Sequence, residues 1–333
     1  MNQLREMVKK VPIPTAGVAL GCVALGNLLA PFAPALQAAF AAVSLTLVCL
    51  VVAKVALFPG MVRQDMHNPI MASVSATFFM TLMQLAALFS TTAFGPALAL
   101  WWFAVVGHLI LMAWFTAHFI VRFRLAEVFP TYFICYVGII VASLTSPSFG
   151  TQATGVVLFW LGFASYAVLL AVVTARYLKH EIPESARPLF CIYSAPMSLS
   201  LAGYLAVTPE PNLAFAAGMA VLAQILFLVV LLQVPRLVRL QFYPSFAAMT
   251  FPFVITATAL GSVLTLLEGA GWFAQALPLL QALQAVWVAE VLFAIGMVCF
   301  VVVCYVRFFL GAPKKARPVP VLDAVRITYQ RDW

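Results

Sequence analysis

Runs of roughly 20 apolar residues follow one another along nearly the whole chain, and each is long enough to span a bilayer as a helix. Ten spans are readable, at about 14–31, 35–57, 70–90, 97–120, 130–147, 152–175, 188–207, 212–234, 244–267 and 279–308. The polar breaks between them alternate in character. Those after even-numbered spans carry Arg63, Asp65 and His67, then Arg122, Arg124 and Glu127, then Arg176 to Arg187 with four further charged or His residues between, then Arg236 and Arg239. Those after odd-numbered spans hold only Glu210 and Glu268. With Arg5, Lys9 and Lys10 ahead of span one, Lys54 late in span two, and the cations from Arg307 onward, all 18 Lys and Arg fall on one side. The positive-inside rule makes that side the cytoplasm, with both termini there, which requires an even number of spans.

Proline supplies a repeat. Pro14, Pro69, Pro130, Pro188 and Pro244 each open an odd span, at separations of 55, 61, 58 and 56 residues. Proline suits the first turn of a helix, so these are start signals. A period of this size marks a repeated supersecondary unit, here a helical hairpin. Each hairpin returns the chain to the cytoplasm, so the five share one orientation, unlike the inverted repeats of many carriers.

The two classes of span differ in content. Odd spans hold small and hydroxyl residues, including Gly17, Gly21, Ser73, Thr77, Gly138, Ser143, Ser194, Ser198 and Thr250, whereas even spans are bulkier, as in Leu100-Trp-Trp-Phe103. Small residues permit close packing in any membrane bundle. Their return in every odd span also fits five inner helices around an axis with five outer helices facing lipid. The stretch Tyr243 to Thr258 belongs to span nine. There Pro252 has no N–H and is expected to bend the helix, freeing carbonyls near Ala248 and Met249 beside Phe251.

Composition agrees. The chain of 333 residues is 65% hydrophobic and 8% charged, far from the roughly 25% charge of soluble domains. The expected division is a cytoplasmic N-terminal segment at 1–11, a ten-helix transmembrane domain at 12–310 and a cytoplasmic tail at 311–333. The net charge of +8 follows from the positive-inside pattern, without a nucleic-acid partner. Six cysteines in apolar runs form no Cys-x-x-Cys pair and read as small buried residues.

Ionisable residues are absent from the middles of the odd spans. Away from the span ends, two lie within even spans, His108 near the middle of span four and Glu290 in the first half of span ten. They fit hydrogen-bonding partners between helices or, alternatively, a proton-linked pair. His108 and His118 lie about 80° apart around a helix, with no third ligand, so no metal is expected. No His-Glu-x-x-His, Gly-x-Ser-x-Gly or Walker A motif occurs, and neither an enzyme nor a cofactor is expected.

Val11-Pro-Ile-Pro-Thr-Ala-Gly17, His67-Asn-Pro-Ile70 and Thr250-Phe-Pro252 resemble the tellurite-resistance and dicarboxylate transporter family. It is a TehA-like family that includes the yeast malate permease and the plant guard-cell slow anion channels. The resemblance covers essentially the whole chain. It implies an all-α membrane protein of ten transmembrane helices, built as five parallel hairpins in a quasi-five-fold ring, with odd helices lining a central pore. It also implies a homotrimer with one pore per protomer, in a bacterial inner membrane, and a phenylalanine plug that falls on Phe251. The plant pattern differs at Met249 and Phe253, and Phe253 could add to the constriction or pack outward. The expected function is passage of small anions: oxyanions, halide or C4-dicarboxylates. A proton-coupled dicarboxylate or sulfite exporter is the alternative, and a flux-free membrane scaffold a third reading.

Overall fold

The computed structural model describes residues 2–269 and 277–311. All but the first residue of the predicted tail lies outside the described residues. A short helix, α1 (Asn2–Lys9), precedes the first span. That span is α2 (Thr15–Leu29), the second is α3 (Pro34–Leu57), and α4 (Pro59–Asp65) follows. Span three divides into α5 (Pro69–Val74) and α6 (Ala76–Phe89). Span four is α7 (Phe94–Phe115), widening into a π-helical turn at Thr116–Ile120. Span five divides into α8 (Thr131–Tyr136) and α9 (Ile140–Thr145), and span six is α10 (Gln152–Lys179). Span seven begins as a 3-10 segment, Glu184–Ser194, and continues as α11 (Ala195–Val207). Span eight is α12 (Leu213–Leu231), with α13 (Val234–Leu237) after it. Span nine begins as a 3-10 segment, Pro244–Met249, and continues as α14 (Phe251–Gly269), and span ten is α15 (Leu277–Phe309).

The described residues are therefore all-helical, and eight stretches are long and apolar enough to cross a bilayer. Spans one and five are the exceptions, their apolar helices running only Thr15–Leu29 and Ile140–Phe149. Fifteen residues rise about 22 Å, short of the roughly 30 Å hydrocarbon core. The prolines at 12 and 14 delay the start of α2. In span five the N–H groups of Val137 and Gly138 both reach Phe133 O, at 2.8 and 3.2 Å, so the helical ladder slips and restarts.

The opening prolines do not all sit alike. Pro69 and Pro244 are first residues of their segments, whereas Pro188 lies inside a 3-10 segment that starts at Glu184. Span nine also differs from the expected kink. The interruption falls at Thr250 (φ −111°, ψ −89°), and Pro252 is the second residue of the new helix, where its missing N–H costs nothing. The cysteines divide as well: Cys22, Cys135 and Cys191 are buried, but Cys49 and Cys299, on α3 and α15, are exposed.

The odd segments pack on one another in sequence: α2 on α6, α6 on α9, α9 on α11, α11 on α14, and α14 back on α2. The bulky spans pack outside them, α3 on α2, α7 on α6, α10 on α9, α12 on α11 and α15 on α14. Burial separates the two classes. The apolar stretches of the three long odd spans are 61–83% buried, against 28–39% for the five even spans. Exposed Ile110, Val157, Val168 and Leu292 mark the even faces as lipid-facing in this multi-pass membrane protein.

Buried Lys54, near the end of α3, donates to Lys9 O, and its ammonium lies 5.9 Å from the Phe58 ring. The Arg5 guanidinium approaches the same ring at 5.7 Å. These contacts tie α1 to the charged end of α3.

The contact between α2 and α14 depends on a missing side chain. A Cβ on Gly21 would stand 2.5 Å from Thr250 Cβ and 3.1 Å from Phe251 N. Gly21→Ala should therefore cost about 1–3 kcal/mol through overpacking. The measurement is thermal unfolding in detergent, and Gly60→Ala, with nothing within 4 Å of its Cβ, is the neutral control.

Candidate functional site

The odd segments enclose a cavity of about 80 Å³, several times the 10–15 Å³ needed for one water. Every odd span contributes to its wall, and none of the five even helices does. Pro14, Ile70, Phe129, Pro183 and Ser245, at or near the segment starts, surround one end. Leu20, Met80, Gly138, Leu199, Phe251 and Pro252 lie furthest along their segments. No Asp, Glu, Lys, Arg or His lines it.

The helix interruptions lie on this wall. Val74 and Thr77 flank the one in span three, Val137 and Gly138 form the one in span five, Ala195 and Pro196 follow the one in span seven, and Phe251 and Pro252 follow the one in span nine. Near three of them a hydroxyl donates to the carbonyl three residues earlier. Ser75 Oγ donates to Ala72 O at 2.6 Å, Thr77 Oγ1 to Val74 O at 2.7 Å and Ser194 Oγ to Cys191 O at 3.0 Å. Thr250 Oγ1 lies 2.7 Å from Ala247 O and 3.2 Å from Gly17 O, so its single proton serves one while remaining in reach of the other. Such back-bonding satisfies carbonyls and bends helices.

The residues singled out in the sequence separate into groups. Gly17, Thr77, Gly138, Phe251 and Pro252 line the cavity. Gly21 and Thr250 pack against each other behind it. Gly138 lets Met80 in, since a Cβ there would be 2.7 Å from Met80 Sδ. Ser73, Ser143, Ser194 and Ser198 are buried and off the wall, each donating to a carbonyl: Pro69 O, Gly155 O, Cys191 O and Ser194 O. Ser198 also lies 3.2 Å from Thr256 Oγ1. Phe253 is fully buried and packs edge-on against Phe227 of α12 and Phe293 of α15, with centroids 6.2 and 5.0 Å away.

His108 and Glu290 lie on different outer helices, α7 and α15. His108 Nε2 is 2.8 Å from Cys135 O, while its Nδ1 has no partner. Glu290 is buried, with the Gln224 side chain of α12 beside its carboxyl. No group of three His, Cys, Asp or Glu able to hold a metal occurs among the described residues. Glu127, two positions before the wall residue Phe129, pairs with Arg124 at 3.6 Å. Burial pushes its carboxyl above the usual range, and Arg124 opposes that shift.

Phe129, Phe133 and Met80 were not foreseen as wall residues. The one sequence sign was position: Phe129 immediately precedes the proline that opens span five.

A family model for voltage-dependent anion channels (SLAC1) matches residues 10–309. The chain belongs to the voltage-dependent anion channel family. Membership makes it a membrane channel or transporter for anions. A comparison with curated proteins found no match.

For a member of this family the wall assignment can be checked by chemistry. With cysteines substituted singly into a background lacking native ones, Thr77→Cys and Ala195→Cys should react with a small charged thiol reagent. Phe253→Cys should react about tenfold more slowly or not at all, because access controls thiol reactivity. Equal rates at the three positions would contradict the wall.

Proposed function

We propose that the five odd spans form a ring around a conduction path for small anions, and that Phe251 closes it. The observation that carries this reading is the cavity, which takes its wall from all five odd spans, with Phe251 and Pro252 at its inner end. The path has no fixed cation, so an anion would be held weakly enough to leave. Its wall also lacks carboxylates, and the carbonyls of Ala72, Val74, Cys191 and Ala247 beside it accept from Ser75, Thr77, Ser194 and Thr250. Each of these four oxygens thus has one lone pair already engaged, which weakens its repulsion of an anion. What remains is a narrow apolar channel with helix starts along it, notably that of α14, whose N-terminal end carries partial positive charge. The Pro252 position fixes the first turn of α14 and with it the Phe251 ring.

Such a wall selects by size and hydration, which suits halide, small oxyanions and C4-dicarboxylates, tellurite-type oxyanions among them. Replacing Phe251 by Ala should raise anion conductance in planar bilayers by about tenfold or more, as expected when an apolar constriction is opened. An unchanged current from folded protein at comparable density would remove Phe251 from the gate.

A proton-coupled dicarboxylate or sulfite exporter is favoured by one observation, the buried Glu290 carboxyl within α15. Intramembrane ionisable groups tend to mark proton routes. In proteoliposomes with an imposed pH gradient, Glu290→Gln should then abolish uphill substrate movement while leaving downhill exchange. Downhill flux alone, in parent and variant, supports the channel reading.

The resemblance to TehA-like proteins further suggests a homotrimer in a bacterial inner membrane with both termini cytoplasmic. Light scattering of the detergent-solubilised protein reads the first, and protease access to tagged termini in right-side-out vesicles the second.

A further inference from the structure

The 3-10 segment Glu184–Ser194 has two faces. Ser185, Ala186, Leu189 and Ile192 wall the central cavity. Arg187 and Phe190, with Ile182 just before the segment, line a second pocket of about 360 Å³. Tyr177 near the end of α10 and Gln233, Arg236, Leu237 and Leu240 around α13 complete it. No residue is common to the two walls.

Both guanidiniums in this pocket are exposed and free of ion pairs, since the one salt bridge among the described residues is Arg124 with Glu127. Glu184, the acid on the same segment, lies within hydrogen-bond distance of Tyr243 instead, accepting from its Oη at 3.0 Å. The pocket therefore offers two forked donors and the Gln233 amide on a wall otherwise made of Ile182, Phe190, Leu237, Leu240 and the Tyr177 ring. Guanidinium forks match the oxygens of a phosphate group. An apolar wall gives nothing to a free hydrated ion but suits acyl chains. The position also fits: the pocket lies at the ends of spans six and eight where charged residues gather, between the outer elements α10 and α13, and exposed Leu178 and Leu232 adjoin it in sequence.

We propose that this pocket binds the phosphate headgroup of an anionic phospholipid, with Arg187 and Arg236 on the phosphate and the apolar wall against the adjoining acyl region. Basic pockets between spans take anionic headgroups by this chemistry. A lipid seated there touches the outer face of the segment whose inner face walls the cavity. The proposal is independent of whether that cavity conducts.

Native mass spectrometry of the full-length protein in detergent provides the test, with phosphatidylglycerol, phosphatidylcholine and inorganic phosphate as probes. Phosphatidylglycerol should be retained over phosphatidylcholine by about tenfold or more, two basic residues being involved. R187Q/R236Q should bring retention down to the phosphatidylcholine level, while R63Q/R122Q, with the same loss of charge elsewhere, should leave it unchanged. Equal retention of the two lipids by the parent protein overturns the proposal without recourse to any variant. So does equal loss in both double variants, and displacement of phosphatidylglycerol by millimolar phosphate would assign the pocket to a soluble anion instead.

Discussion

The inner wall rests on a short-range interaction, a hydroxyl donating to the carbonyl three residues before it. A helix interrupted inside hydrocarbon leaves carbonyls without N–H partners, a cost of roughly 1–3 kcal/mol for each buried group left unmet. Ser75, Thr77, Ser194 and Thr250 each meet that demand from within their own segment. No water or neighbouring helix is then required to satisfy the carbonyls they reach. Thr250 goes further, since it also comes within reach of Gly17 O on α2. Hydroxyls thus accompany three of the four interruptions beside the cavity, whereas the break in span five has none and shares one carbonyl between two N–H groups instead.

Helix packing depends on the same choice of residues. Gly21 admits Thr250, and Gly138 admits Met80, so the inner segments approach one another more closely than side chains at those positions would allow. The even spans keep bulk instead, with Trp101 fully buried against its neighbours while Phe103 and Ile110 remain exposed. Inside and outside are distinguished by side-chain size and hydrogen-bonding capacity, and mean hydropathy follows the same division, at 1.4–1.8 for the three long odd spans against 1.9–2.6 for the five even ones.

Much of this was legible in the residues, for physical reasons that differ by feature. Runs near 20 apolar residues identify eight membrane-length helices through length alone, while spans one and five fold as shorter apolar helices. The division between small-residue spans and bulky spans anticipated the difference in burial. Interruptions were less visible. Pro252 pointed toward span nine, yet the break fell at Thr250, because a proline early in a helix starts it as readily as it bends it. The slip between Phe133 and Gly138 has no proline at all and arises from how those N–H groups share one carbonyl. Side-chain direction was the least accessible. Ser143, Ser198 and Phe253 share spans with wall residues, but their rotation around the helix turns them toward Gly155, Thr256 and Phe293.

The meeting of Gly17 and Gly21 with Thr250 joins stretches 233 positions apart. At roughly 5–20 residues per second, a ribosome needs on the order of ten to fifty seconds to make the intervening chain. Throughout that interval α2 is already synthesised and has no α14 to receive its glycine face. The seam between the two forms late in synthesis, before α15 docks on α2 and α14, so a defect at Gly21 would show itself as an assembly intermediate in which α14 has not seated on α2.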